Sequence, residues 1–456
     1  MQKHQINRSM TEGPLARQIL LFSLPLMMSN VLQVLFNMSD IAVVGRFAGS
    51  HALGAVGSTA TLVTMLTGIL IGVGSGVNIV VARYLGARQD REVSESVQTA
   101  FLLCSGIGLI VMAAGLLLAR PLLLLLGTKP ELLEGAVTYL RIYALGMPAA
   151  AIYNYGNAVL SASGDTRRPL FILAFAGVMN VLMNLFFVVG CHMSEAGVAI
   201  ASAASQYISA ALILVVLLRS DTCFGLRLRQ LHFSPDKARR ILPLSLAAAA
   251  QNAIFAVANL FIQAGVNSFD AVVVEGTAAA ANSDALAYDV MAAFCTACSS
   301  FMSQNFGAGK RERVLRSFYI SLAYAFSVGA VIGTLLLVFG RQFLFLFTTD
   351  AAVVEAGLVR LRVMAFSYAF SAFMDCTIAA SRGLGKSIIP TIIVILGSCV
   401  FRIIWVYTIF AYFHTILSLY LLYICSWAVT AVAEIIYFVH IYRHTPLLSP
   451  APQAEG

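Results

Sequence analysis

The sequence predicts an all-α polytopic membrane protein, with twelve transmembrane helices arranged as two parallel-repeat six-helix lobes around a central cleft. Three observations predict this fold class: the composition, the spacing of the apolar runs and an internal repeat. Of the 456 residues, 59% are hydrophobic and only 11% are charged, and the mean hydropathy is +0.86. Soluble domains carry about 25% charged residues, so a soluble fold is excluded.

Twelve apolar runs follow one another along the chain, separated by short polar breaks. Each is long enough for a spanning helix, which needs about 20 residues. The predicted helices cover residues 16–44, 53–82, 94–119, 135–160, 169–191, 196–218, 239–267, 275–303, 314–340, 357–381, 388–413 and 416–441. No short apolar core with a small-residue cleavage site precedes the first run, so we expect the first helix itself to direct insertion.

The positive charges alternate between the two sides of the predicted helices. Lys and Arg concentrate at the N-terminus, in the even-numbered loops and at the C-terminus, whereas the odd-numbered loops hold only Arg46, Arg120, Lys129 and Arg341. Cytoplasmic loops carry the excess of Lys and Arg, so we expect both termini in the cytoplasm. The net charge of +8 reflects this orientation, and no nucleic-acid partner is expected.

The internal repeat has a constant spacing of 221 residues. At this spacing Gly86 aligns with Gly307 and Arg120 aligns with Arg341. Because each copy holds an even number of helices, both copies point the same way through the membrane, as in parallel-repeat transporters. The predicted domains are an N-terminal lobe (residues 1–218), a cytoplasmic linker (219–238), a C-terminal lobe (239–444) and a disordered tail (445–456).

The first predicted helix carries an acid, Asp40, about one turn before it ends near Gly45. A carboxylate at the centre of a membrane costs roughly 2.5–3.5 kcal/mol on insertion scales. Such residues usually face a protein interior or a water-filled cavity and handle ions or protons. The alternative is a helix-end acid that reaches the interface, although an Asp side chain is too short to extend far.

Two polar residues on later helices, Asn184 and Ser202, fall at the depth of Asp40 when depth is counted from the helical rise, and Asn180 falls one turn below Asn184. Asn180 and Asn184 lie one turn apart on one face of the fifth helix, and Ser202 lies in the outer part of the sixth. One carboxylate with amide and hydroxyl oxygens suits Na⁺, or forms a polar cage for a protonatable Asp. The alternative is that the two Asn side chains only hold helices together through hydrogen bonds.

The second lobe holds its own charges inside the predicted helices. They are Asp284 and Asp289 on the eighth, Asp375 on the tenth and Arg402 on the eleventh. Asp289 and Arg402 both fall near mid-membrane, so one interpretation is a buried structural ion pair. The other is that a spare acid faces the cleft and attracts a cationic substrate.

A Cys-x-x-Cys pair, Cys295 and Cys298, has the spacing of a metal site. It lies on a predicted membrane helix, and no second Cys pair or His cluster accompanies it. We therefore interpret the two residues as small packing side chains. No cofactor is expected, and no metal other than a coupling Na⁺ at Asp40.

The order and spacing of several motifs resemble those of the multidrug and toxic compound extrusion (MATE) family of bacterial secondary transporters. The matching stretches are Leu24-Pro25, Asp40-x-x-x-x-Gly45, Gly86-Ala87, Gly307-Ala308-Gly309-Lys310, Gly164-Asp165-Thr166-x-x-Pro169 and Arg382-Gly383-Leu384-Gly385. The resemblance implies two six-helix lobes and export of organic, often cationic, compounds driven by Na⁺ or H⁺. We expect a monomer in a bacterial inner membrane, with the lipid bilayer and a small organic substrate as its partners.

The resemblance also implies a first-lobe cation site. In the family this site uses an Asp on the first helix, an Asn and an Asp four residues apart on the fifth, and a Thr or similar residue on the sixth. The matching positions here hold Asp40, Asn180, Asn184 and Ser202, so an amide replaces the second carboxylate. A site with one acid binds Na⁺ less strongly and cannot hold a carboxylate pair that shares a proton, which leaves the coupling ion open between Na⁺ and H⁺.

The expected function is cation-coupled antiport, in which organic, cationic amphipathic drugs or toxins are exported by alternating access. No His-Glu-x-x-His, Gly-x-Ser-x-Gly or Gly-x-x-x-x-Gly-Lys-Ser/Thr motif is present, which argues against an enzyme and against direct drive by ATP. The alternative is a flippase for a lipid-linked precursor. That function would need a cationic pocket for a pyrophosphate, and the first lobe has no inward-facing Arg cluster in its predicted helices.

Overall fold

The computed structural model describes residues 10–445, and within that range the chain is helical and contains no β-strand. Residues 446–456, nearly all of the tail predicted to be disordered, lie outside the described residues. The predicted all-α fold class is therefore confirmed for the part of the chain that the structure describes.

Twelve helices, labelled α1 to α12, occupy this range and confirm the predicted number. They are α1 (Leu15–Val43, continued by a π-helical turn at Val44–Ala48), α2 (Gly49–Gly86), α3 (Asp90–Leu125), α4 (Pro130–Leu145 and Met147–Ala162), α5 (Arg167–Leu185, continued by a π-helical turn at Phe186–Gly190), α6 (Glu195–Leu218), α7 (Pro235–Val266), α8 (Ala271–Gly307), α9 (Arg311–Leu344), α10 (Ala351–Gly383), α11 (Ile388–Phe413) and α12 (Ile416–His444). Within the described range, 10 continuous segments are long and apolar enough to cross a membrane, and the first of these contains both α1 and α2. The two halves of α4, of 16 residues each, reach the length of a span only together.

Two helix boundaries show how the sequence divides these long segments. Gly49 has a φ of 89°, a conformation that glycine adopts at no steric cost, and it separates the end of α1 from α2. Inside α4, Gly146 interrupts the helix and Pro148 follows it. Because proline lacks an N–H, the helical hydrogen bonds cannot continue unbroken past this point.

The internal repeat is visible in the loops of the two copies. Gly164 and Gly385, which the repeat aligns, have φ values of 92° and 81°. Arg88 and Gly309 are also aligned, and they have φ values of 56° and 69° in the turns that follow α2 and α8. The two copies therefore make the same backbone turns at the positions that the sequence comparison aligns.

Packing divides the described chain into two compact units. Unit 1 consists of residues 28–253, and unit 2 consists of residues 10–27 and 254–445. Unit 1 thus holds α2 to α6, unit 2 holds α8 to α12, and each unit takes part of α1 and part of α7. The boundaries of these units differ from those of the predicted domains, because the domains were defined by the sequence repeat and the units are defined by contacts between helices.

Each unit has its own apolar core. In unit 1 the core includes Val77, Tyr155 and Ile213, and in unit 2 it includes Phe294 and Tyr368. Large apolar side chains are also exposed along most of the helices. Such a surface is unfavourable in water and is what a lipid-facing helix requires.

Candidate functional site

Three helices of unit 1 meet at the carboxylate of Asp40. Asn184 on α5 donates a hydrogen bond from Nδ2 to Oδ1 of Asp40 at 2.5 Å, and Ser202 on α6 donates from Oγ to Oδ2 at 3.2 Å. Asn180 is linked to the carboxylate through Asn184, since its Oδ1 accepts a hydrogen bond of 3.2 Å from Nδ2 of Asn184. The structure thus brings Asn184 and Ser202 to Asp40, as the depth count predicted, and places Asn180 one turn away in contact with Asn184.

A close approach of α1 and α5 one turn from the carboxylate makes this meeting possible. A Cβ atom on Gly177 would lie 1.8 Å from Cε2 of Phe36, so only glycine fits at this point. Phe36 and Asp40 are one turn apart on α1, as Gly177 and Asn180 nearly are on α5. The missing side chain therefore sets the distance at which the polar residues of the two helices meet.

Both helices change to π-helical geometry just beyond the site. The turn at Val44–Ala48 begins four residues after Asp40, and the turn at Phe186–Gly190 begins two residues after Asn184. Such turns occur frequently at functional sites because they change the direction of side chains and leave backbone groups available. The sequence did not predict either turn.

One buried atom at the site has no hydrogen-bond partner among the described residues. This atom is Oδ1 of Asn184, the carbonyl oxygen of the amide whose nitrogen contacts Asp40. A buried unsatisfied acceptor is costly. Because the two ends of an amide are exchanged by a rotation of the side chain, Asn184 can turn this oxygen towards Asp40. The site could then offer carboxylate, amide and hydroxyl oxygens, the hard ligands that suit Na⁺.

The surroundings of Asp40 are mainly apolar and aromatic. Val43, Val188 and Val198 belong to a buried apolar cluster contributed by α1, α5 and α6. Tyr139, a member of the same cluster, and Tyr143 are close enough on α4 to interact electrostatically with Asp40. No cationic side chain forms an ion pair with Asp40 among the described residues, so neutral groups alone hold the carboxylate.

Unit 2 neutralises one of its buried acids with an arginine. Asp284 on α8 forms an ion pair with Arg360 on α10 and also accepts a hydrogen bond from the hydroxyl of Tyr368. The guanidinium of Arg360 is buried and lies over the rings of Tyr420 and Tyr423, 5.3 and 5.4 Å from their centroids. Sequence analysis did not single out Arg360. Its position on an apolar helix gave no signal of the face that its side chain occupies.

The ion pair considered from the sequence, between Asp289 and Arg402, is not formed. Arg402 on α11 instead donates from Nε to Oγ of Ser426 at 3.2 Å and from Nη1 to Oδ1 of Asn259 at 3.4 Å. Its guanidinium lies 4.8 Å from the centroid of the Tyr423 ring. The two residues had been paired because they lie at a similar depth in the membrane. Contact also requires that their side chains lie on facing sides of α8 and α11, which depth does not determine.

Two further acids lie inside unit 2. Asp375 on α10 is close enough to Arg382 and Arg402 for electrostatic interaction, although it forms no ion pair within the described residues. Glu434 on α12 is fully buried, and neither of its carboxylate oxygens has a hydrogen-bond partner in the described range. The guanidinium of Arg382 interacts electrostatically with the carboxylate of Glu434.

The Cys-x-x-Cys pair lies beside a third cysteine. Sγ of Cys295 is 3.5 Å from Sγ of Cys376, and Sγ of Cys298 is 3.6 Å from the sulfur of Met302. All eight cysteines are free thiols, and no group of His, Cys, Asp and Glu in the described range has the arrangement of a metal site. These contacts agree with the interpretation that the two cysteines are packing residues.

The MatE family model matches the chain twice, over residues 25–186 and 243–408. The first match includes α2 to α4 and most of α1 and α5, and the second includes the corresponding helices of the second copy. The two matches therefore follow the repeat found in the sequence.

Curated relatives and solved structures agree with this match. The chain is 29% identical over 360 residues to the probable multidrug resistance protein YpnP of Bacillus subtilis (strain 168), covering 79% of this chain and 80% of that protein. It is 23% identical over 411 residues to the probable multidrug resistance protein NorM of Thermotoga maritima, covering 87% and 86%. The fold is similar to that of a MOP superfamily transporter from Pyrococcus furiosus, with a TM-score of 0.89, 21% identity and coverage of 97% and 100%.

Proposed function

The chain belongs to the MatE family of multi-span membrane transporters, and from that premise we propose that it exports organic cations in exchange for Na⁺ or H⁺. The observation that carries this proposal is the carboxylate of Asp40, enclosed in a membrane helix bundle and hydrogen-bonded, among the described residues, by the neutral side chains of Asn184 and Ser202. A negative charge in such a place is stable only while a cation or a proton accompanies it.

The coupling step we propose is a change of charge at Asp40. Binding of Na⁺, or protonation, neutralises the carboxylate, and release restores the negative charge. The amide of Asn184 would donate its N–H to the charged carboxylate and turn its Oδ1 inward when a cation or proton is present. A conformational change follows from this step only if the two charge states favour different conformations, and we propose that they favour opposite sides of an alternating-access cycle.

Substrate export is proposed from the relatives, whose names describe multidrug resistance. An organic cation that competes for the charged form of Asp40 would be released where the coupling ion is abundant. The flippase alternative has no support in these names. A flippase would need a cationic pocket for a pyrophosphate. Among the described helices of unit 1, no cationic side chain forms an ion pair with Asp40, and the site presents a negative charge instead.

Ethidium efflux from reconstituted vesicles tests the proposal, with a Na⁺ gradient and a pH gradient imposed separately. We expect one of the two gradients to drive efflux, and Asp40→Asn to abolish the driven component. Asp221→Asn is the matched control, because it makes the same chemical change at an exposed loop position. Efflux that persists in Asp40→Asn vesicles would contradict the proposed role of this carboxylate.

We also propose that both termini face the cytoplasm, and thiol labelling in whole cells tests this orientation. Cys191 is exposed in the loop between α5 and α6, which this orientation puts outside. A membrane-impermeant maleimide should label a variant that retains only Cys191. A Thr222→Cys variant without other cysteines should be labelled only in inverted vesicles. Cys223 is a poor reporter for that side, because burial raises the pKa of its thiol to about 11.

A further inference from the structure

The helices that build the Asp40 site have counterparts in unit 2. The repeat makes α7, α11 and α12 equivalent to α1, α5 and α6. On these three helices Asn259, Arg402 and Ser426 form a polar cluster joined by hydrogen bonds of 3.4 and 3.2 Å. Each of the three lies within about one helical turn of the position that the repeat pairs with Asp40, Asn180 or Ser202. The same three helices therefore carry one polar cluster in each unit.

The two clusters have opposite charge. In unit 1 a carboxylate is held by an amide and a hydroxyl, and no cationic side chain of the described helices forms an ion pair with it. In unit 2 a guanidinium is held by an amide and a hydroxyl, and Arg keeps its proton in proteins. Arg402 is only 3% exposed, and no carboxylate forms an ion pair with it within residues 10–445. The acid that interacts with it electrostatically is Asp375 on α10, outside the three equivalent helices.

Aromatic rings complete the surroundings of this guanidinium. The ring centroids of Tyr423, Phe255 and Trp427 lie 4.8, 5.5 and 6.0 Å from Arg402. Cation–π contacts of this kind stabilise a desolvated cation without neutralising it. The charge of Arg402 is thus built into unit 2 and cannot be exchanged with solution.

We propose that Arg402 is a tethered cation, which takes in unit 2 the place that the coupling cation takes beside Asp40 in unit 1. Of the two equivalent clusters, only that of unit 1 then exchanges a cation with solution. Asp284 fits this division of roles because Arg360 already neutralises it. This inference rests on the proposed function, since it requires that Asp40 binds the coupling ion.

Equilibrium binding of the coupling ion to the purified full chain tests the inference, using whichever of Na⁺ and H⁺ drives efflux in vesicles. We expect Asp40→Asn to bind one ion fewer than the wild-type chain. The double variant Asn259→Asp with Arg402→Asn gives unit 2 the carboxylate, amide and hydroxyl of unit 1, and it should bind one ion more than the wild type. Adding Asp40→Asn to that double variant should return ion binding to the wild-type number.

The single variant Asn259→Asp gives a result even if the double variant does not fold. Its new carboxylate lies beside Arg402, so it should take up no additional ion, and its melting temperature should not fall. An additional ion bound by Asn259→Asp, or no additional ion bound by the folded double variant, would overturn the inference. A coupling ion that the wild-type chain binds at the cluster of Asn259, Arg402 and Ser426, besides the one at Asp40, would also overturn it and leave the proposed function intact. Undiminished ion binding by Asp40→Asn would instead overturn the proposed function.

Discussion

Unit 1 places a carboxylate where three of its helices meet, and unit 2 places a guanidinium on the equivalent helices. The acid of unit 1, Asp40, has only neutral partners, whereas Asp284 of unit 2 is paired with Arg360. A duplicated chain has thus kept one six-helix arrangement and given its two copies different electrostatics. The comparison teaches that similarity of fold between two repeats does not fix which of them binds an ion.

The difference has a physical consequence for stability and for transport. A buried acid with an arginine partner contributes to a fixed structure, and it is costly to disrupt. A buried acid with neutral partners changes its environment each time an ion or proton arrives or leaves. We therefore expect substitutions in unit 1 to affect ion binding and transport, and substitutions in unit 2 to affect stability.

The largest effect should come from Asp40→Asn. The amide is nearly the same size as the carboxylate, can keep hydrogen bonds to Asn184 and Ser202, and cannot carry a charge. Ion-driven efflux should fall to the level of vesicles without the protein, while the melting temperature in detergent stays close to that of the wild type. A variant that is unstable as well as inactive would weaken the contrast between the two units.

The next largest effect should be on stability, from Asp284→Asn in unit 2. This change leaves the buried guanidinium of Arg360 without its carboxylate, and breaking a buried pair in this way typically costs about 3–5 kcal/mol. The unfolding free energy in detergent measures the loss. The double variant with Arg360→Gln is the control and should recover part of it, whereas an unchanged unfolding free energy in Asp284→Asn would show that the pair is not structural.

A smaller effect is expected from Gly177→Ala, which tests the geometry of the Asp40 site. The new Cβ would overlap the ring of Phe36, and overpacking of this kind costs about 1–3 kcal/mol. Because α1 and α5 must separate, ion affinity should fall as well. Gly397→Ala is the matched control in unit 2, where a Cβ would meet Oγ1 of Thr430 at 2.5 Å. It should reduce stability and leave ion affinity unchanged.

The smallest effect should come from a matched pair of serine substitutions. Ser202→Ala removes one hydroxyl from Asp40, and a single hydrogen bond contributes about 0.5–1.5 kcal/mol. If the ion is Na⁺, which would use the hydroxyl oxygen as a ligand, its dissociation constant should rise up to about tenfold. If the ion is H⁺, its dissociation constant should fall by a similar factor, because the hydroxyl stabilises the charged carboxylate. Ser426→Ala makes the same change beside Arg402 and should leave that constant unchanged. Equal shifts in both variants would show that the two clusters are not functionally distinct.

Helical rise was enough to predict which residues share a depth, but not which residues touch. The contacts of Asp40 with Asn184 and Ser202 were predictable because the three residues share a depth and lie on helices of the same repeat. The fold class was predictable from the composition and the repeat. The pairing in unit 2 was missed because lipid-facing and core-facing residues of a membrane helix are both apolar. The sequence of α10 therefore gave little indication that Arg360 faces Asp284.

The π-helical turns are a second feature that the sequence did not predict. A π-helical turn changes the phase of every residue that follows it, and α11 contains two such turns, at Ile395–Val400 and Val406–Phe410. Arg402 lies between them, so a regular helical period does not give the face on which its side chain lies. Depth alone had suggested the pair with Asp289, and depth does not determine a helix face.

Competition between the coupling ion and ethidium on the purified chain tests the central claim most directly. If Asp40 binds both in turn, added ethidium should displace the ion from the wild-type protein, and Asp40→Asn should bind no ion at any ethidium concentration. Simultaneous saturation of the wild-type chain by ion and ethidium, with ion binding retained in Asp40→Asn, would contradict the account.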